Sequence, residues 1–132
     1  MKYLYNVRSE TDPNTSQPST TGVTTVNVAT FNSWLQLGGV PNNAIIYVKG
    51  ILIGVDGSGN AATIEVARPF KFSSGVLSAL GTLNVITGAT GTLATAIASL
   101  VASSPAIVLQ ATGVSATTIT WFGHIYLFSN SY

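Results

Sequence analysis

The chain has 132 residues, of which 46% are hydrophobic and only 7% charged, where a soluble domain usually carries about 25%. Five Lys and Arg against four Asp and Glu cannot form the basic stripe that grips a nucleic-acid backbone, and the absence of cysteine removes disulfides, thiolate metal sites and cysteine catalysis together. The length suits one domain with one core, and the charges stop at Lys71: from Phe72 to Tyr132 there is none.

Residues 1–22 read as an extended N-terminal arm. Within it, 9–22 (SETDPNTSQPSTTG) holds two prolines and no large apolar residue, so this segment cannot bury enough surface to fold by itself. In front of that tether Tyr3, Leu4, Tyr5 and Val7, with Arg8 beside them, form a small patch expected to contact another subunit. Lys2 is followed by no apolar run of seven or more residues, so the start of the chain does not read as a signal peptide.

Residues 23–132 read as a β-sandwich. Val23 to Phe31 alternates moderately, with Val26 and Val28 against Asn27 and Ala29, and Phe31 to Leu37 is expected to form one helical turn before Gly38, Gly39 and Pro41. Ala44 to Val55 is apolar on both parities: Ile46, Val48 and Leu52 oppose Ile45, Tyr47, Ile51, Ile53 and Val55, the mark of a strand covered on both faces. Asp56-Gly57-Ser58-Gly59-Asn60 is a turn cluster that reverses the chain into a hairpin with Ala62 to Phe72. There Ile64, Val66, Phe70 and Phe72 share one face, and Thr63, Glu65 and Lys71 the other. Arg68 has the apolar parity and precedes Pro69, so a bulge or strand end is expected to turn its guanidinium outward.

Ser73-Ser74-Gly75 is a further turn, Val76 to Thr87 reads as strands around a kink at Gly81, and 88–92 as a loop. Leu93 to Val101 reads as a strand, although its apolar spacing also fits a short helix. Ala106 to Ala111 is a strand, Gly113 to Ala116 a turn, and Thr117 to Phe128 a long final strand. Eight or so strands make an all-β, jelly-roll-like antiparallel sandwich.

The mean hydropathy of +0.44 invites a membrane reading. The most apolar stretch, Leu93 to Leu109, is broken by Ser103-Ser104-Pro105 and falls short of the about 20 residues a span needs. Catalysis needs convergent titratable groups, and the supply is one His, two Asp and two Glu. His124 sits with Phe122, Tyr126 and Phe128 on one parity, and no carboxylate follows Glu65, so it reads as a packed or interface histidine. One His without Cys does not build a zinc site, and the Asp56 turn has Ala67 where a calcium loop needs its glutamate. No catalytic, metal or cofactor-binding residue is expected, and neither nucleic acid nor a membrane is an expected partner.

Lys and Glu on solvent-facing strands keep β domains soluble and block edge pairing, so their scarcity leaves a surface suited to neighbours. Ala44 to Val55 and Thr117 to Phe128 are too apolar for sandwich strands with one wet face. The oligomer contacts expected on them are Tyr47, Ile51, Ile53, Phe122, His124, Tyr126 and Phe128. Trp121 and Phe122 point to opposite faces, so one belongs to the core and the other near an interface.

The runs VKGILIGVDGSGNAATIEVARPFKFSSGVLSALGTLNVITG and SPAIVLQATGVSATTITWFGHIYL together resemble a jelly-roll module of tailed-bacteriophage virion proteins. The matching features are the Gly-rich turn Asp56 to Asn60, Arg68 with Phe70, the Thr112-Gly113 turn, and Thr118-Ile119-Thr120-Trp121 running on to Leu127. The shortage of charge and Phe122-Gly123-His124 depart from the pattern and leave the partner surface open. The resemblance implies a trimer that acts as a head decoration (cement) protein or as a knob on a fibre or tail. The expectation is a non-enzymatic decoration protein on the outer surface of the capsid, bound to the major capsid protein. A receptor-binding knob for a host surface ligand is the alternative, disfavoured by an arm this short at the start of the chain.

Overall fold

The computed structural model describes residues 2–8, 18–32, 43–103 and 106–131. They form ten strands and one short 3-10 helix, arranged as two antiparallel sheets with the core between them. The wide sheet runs β1 (Lys2–Arg8), β10 (Thr118–Ser131), β4 (Asn43–Asp56), β5 (Ala61–Ser73) and β6 (Val76–Ala79), with β2 (Ser19–Thr21) also on β10 and β7 (Asn84–Ala89) also on β5. The narrow sheet is β3 (Thr25–Asn32), β9 (Ala106–Thr112) and β8 (Ile97–Ser103). The nested pairs β2 with β10 and β3 with β9 have the jelly-roll sense, early strands against late ones. The β4–β5 hairpin departs from it by staying in one sheet.

Period-two patterning sets the wide sheet. In β4 the even residues from Ala44 to Gly54 are buried and the odd ones face away, so the strand is covered by the core on one face only, not on both as its composition suggests. β10 pairs with it in one unbroken register, and Ile119, Trp121, Ile125 and Leu127 join the core. Glycines alternate with large side chains across this pair: Trp121 lies opposite Gly54, Leu52 opposite Gly123 and Ile125 opposite Gly50. A Cβ on Gly54 would sit 2.6 Å from the Trp121 ring, and one on Gly50 2.6 Å from Leu109 of the narrow sheet. Small residues therefore admit the indole and bring the second sheet close.

The turns follow their chemistry. In the β4–β5 hairpin the Asp56 carboxylate accepts the Ser58 and Asn60 N–H groups, each at 2.9 Å, and the Asn60 side-chain amide at 2.8 Å, while Gly59 alone of the two glycines takes positive φ. Ser74 and Gly75 both have positive φ, as a two-residue hairpin turn with the sheet's own twist requires.

Four local expectations change. β5 has no bulge at Arg68; instead its outer partner switches there, from β7 along Ala62 to Ala67 to β6 along Phe70 to Ser73. The guanidinium fills the gap, donating to the Gly81 carbonyl at 2.9 Å and the Leu80 carbonyl at 3.5 Å, which fastens the β6–β7 connection to the sheet. In β3 a register shift between Asn27 and Ala29 buries Val28 and Ala29 side by side, ending the simple alternation. Leu93 to Val101 divides between a 3-10 turn at Gly91–Thr95, which seats Leu93 in the core, and β8. Phe31 belongs to β3 and is fully buried, while 33–37 of the expected helical turn lie outside the described residues.

Part of the segment read as an arm pairs with the wide sheet. Thr20 is buried and accepts a 2.9 Å hydrogen bond from the Trp121 indole N–H, the Trp121 backbone N–H donates to the Pro18 carbonyl at 2.8 Å, and the Gly22 N–H donates to Thr117 at 3.0 Å. Residues 18–22 thus lie on the sheet edge, where the buried indole finds its acceptor. Residues 2–8, read as a docking patch, form β1 on the same edge; 9–17 lie outside the described residues.

Candidate functional site: the outer face of the wide sheet

Residues directly opposite each other in an antiparallel pair share a face, so the register fixes what the outer face carries. Phe122, Ile53 and Thr63 make one row, His124, Ile51, Glu65 and Ile86 the next, and Tyr126, Lys49, Ala67 and Asn84 the third. Then come Phe128, Tyr47 and Pro69 at register positions in line, and Ile45 beside Lys71. The seven interface candidates read from the sequence therefore fall on one face of two neighbouring strands. Trp121 is the core member of its pair, and Phe122 is 38% exposed.

The face is apolar and open in the single chain. Ile45, Tyr47, Ile53, Val55 and Tyr126 are exposed large side chains, with Ile53 at 45%, and Ile86 on the flanking β7 reaches 67%. Ile51 and His124 are half-buried between them. The His124 ring stacks on Tyr126, centroids 4.4 Å apart and planes 9° from parallel, forming a flat aromatic tile beside Phe122. In the middle, Lys49 Nζ meets Glu65 Oε1 at 2.6 Å across β4 and β5. The hydrogen bond and charge of Glu65 hold the Lys49 ammonium above its ordinary value of 10.5. The face thus carries its central cation and anion already matched to one another, and Lys71 at one end.

A shallow depression of about 280 Å³ lies between β4, β5 and β7, lined on this face by Ile51, Thr63, Glu65, Ile86 and Gly88. A second, of about 380 Å³, lies at the end of the sandwich among Asp56, Ser58, Asn60, Thr92, Thr117 and Thr118. There the carboxylate is already occupied by the turn, which holds Asp56 below its ordinary acidity range, chiefly through the Asn60 side chain. Among the described residues no group of three or more His, Asp or Glu side chains stands together as a metal site would need, and no helix is long and apolar enough to cross a membrane.

The arm residues take these places: Tyr3, Leu4, Tyr5, Val7 and Arg8 pair in register with Ser129, Phe128, Leu127, Ile125 and His124. The sequence places Ile45 and Val55 on the face of Tyr47 without naming them as contacts, and it misses Ile86, which arrives only through the β5–β7 register that no local pattern reveals.

No protein-family model and no curated protein matches the chain. Among solved structures, the tailspike protein of Acinetobacter phage vB_ApiP_P1 is similar over 98% of this chain, with 17% sequence identity and a TM-score of 0.27. The chain spans 21% of that protein's length.

Proposed function

We propose that the chain is a non-enzymatic structural protein of a bacteriophage particle, a homo-oligomeric decoration protein, trimeric by its sequence resemblance, that seats on the outside of the capsid and ties neighbouring subunits together. The observation that carries this reading is the outer face of the wide sheet: an apolar, aromatic-tiled surface whose central charges neutralise each other, on a chain with nine charges in all. Exposed apolar patches of this extent on single chains mark interaction surfaces. Four to five strands spaced by about 4.8 Å and eleven residues rising about 3.3 Å each give a face of roughly 800 Å², the size one partner contributes to a standard stable interface. At about 25 cal/mol per Å² its burial represents a large gross gain, reduced by the cost of association. Repeated over many copies, such contacts resist the pressure of packaged DNA without any chemistry.

Quantitative mass spectrometry of purified particles tests it. Hundreds of copies per particle are expected of a shell protein. A few to a few dozen would place the chain on a tail or fibre, as a receptor-binding knob for a host surface ligand, and absence from particles would overturn the virion reading altogether.

A further inference from the structure

The outer edge of β10 is covered in two pieces. β1 takes residues 124–130, from Lys2 opposite Asn130 to Arg8 opposite His124, and β2 takes 118–120, prolonged by the bond from Trp121 to Pro18. On β10 only Phe122 and Gly123 separate the pieces, about 10 Å at the rise of a strand. The chain between them, residues 9–17, reaches about 30 Å when extended. Carrying the chain along its own edge needs about two or three residues, so most of that length is surplus. β2 is tied into the core through Thr20, and β1 holds the longer stretch of the β10 ladder.

We propose that β1 is an exchangeable strand: in the assembled protein, residues 2–8 of one copy pair with residues 124–130 of a neighbouring copy, in the register they use within one chain. The occupant is a second copy because residues 2–8 are the segment whose register fits this edge, and because the surplus linker supplies the reach. Exchange reproduces the same ladder, so no pairing is lost, and the joined sheets gain a tethered second contact that raises the effective concentration of the first. It also leaves no bare, uncharged β10 edge for unregulated pairing. This inference rests on the self-association proposed above and adds its connectivity.

The absence of cysteine makes connectivity readable. Lys2→Cys with Asn130→Cys places thiols at register partners. After oxidation, exchange is expected to give covalent rings of two or three chains on a non-reducing gel, above the background of each single-cysteine variant. Only intramolecular bonds in a chain that sediments as an oligomer would overturn exchange and leave self-association standing; the same bonds in a chain that sediments as a monomer would overturn both. A second measurement avoids new cysteines. Deleting residues 2–8 removes the strand that would exchange and leaves β2 in place, and should weaken self-association by about a hundredfold. Unchanged association of that variant would overturn exchange.

Discussion

Single positions in this fold are strict where a large side chain meets a small one. Trp121 is fully buried, and its indole N–H has Thr20 Oγ1 as acceptor. Thr20→Val keeps the shape and removes the acceptor, so the protein should lose about 1–3 kcal/mol, the cost of a buried unsatisfied donor. Urea unfolding should show a lower midpoint at unchanged slope. Gly54→Ala should cost a similar amount, about 1–3 kcal/mol, by overpacking the same ring, and the near-UV signal of Trp121 would report the strain. At the surface, Asp56 is an acid-side determinant. Its folded acidity lies below the ordinary 3.8, so its contribution is complete above that value and is lost as pH falls through the lower folded one. Asp56→Asn should flatten the stability profile below about pH 4, and a profile as steep as the parent's would remove the turn from the account. Lys49 has the opposite sign. Its raised value contributes stability that is complete below 10.5 and is lost as pH rises through the folded value, so in thermal scans taken upward from pH 10 the parent should lose stability that Lys49→Met, lacking the contribution at every pH, does not lose.

At the scale of the element, the wide sheet's far edge depends on one side chain. Arg68 bridges the point where β5 changes partner, holding the Leu80 and Gly81 carbonyls where Pro69 offers no N–H. Arg68→Met keeps most of the packing and removes the donors. Amide exchange in β7 should accelerate severalfold with little change in the core strands, because β7 is exposed along most of its length. The elements also show what the sequence made legible. β4, β5, β9 and β10 announce themselves by parity, turn residues and length, and the pairing of Trp121 inward with Phe122 outward follows from period two alone. The residues missed are those whose state depends on distant pairing. Thr20 reads as linker because its partner is Trp121, far along the chain. Val28 breaks the alternation because β9 imposes a bulge, and Arg68 is held by a connection that the sequence shows only as a Gly kink. Composition overstated the covering of β4: apolar residues on both parities mean two apolar surfaces, and the chain by itself buries only one.

For the whole molecule, that second surface decides whether the fold is complete as a single chain. Two apolar faces on one sheet leave one against the narrow sheet and one facing outward, with Ile53, Phe122 and Tyr126 exposed on it. A charge placed there is readily hydrated in a lone chain and strongly unfavourable in a sheet-to-sheet contact, where desolvation finds no partner. Ile53→Lys therefore separates the two conditions. Because Ile53 lies outside the core, the far-UV spectrum and the buried Trp121 signal should stay as in the parent. Sedimentation velocity at micromolar concentration should shift from oligomer to monomer, and binding to particles should fall with it. Ile97→Lys is the matched control: it is 59% exposed at the start of β8 in the narrow sheet, so the same added charge should leave association unchanged. If Ile53→Lys still assembles as the parent does, the outer face is not where copies meet. If the two variants dissociate equally, overall charge and not this face governs assembly.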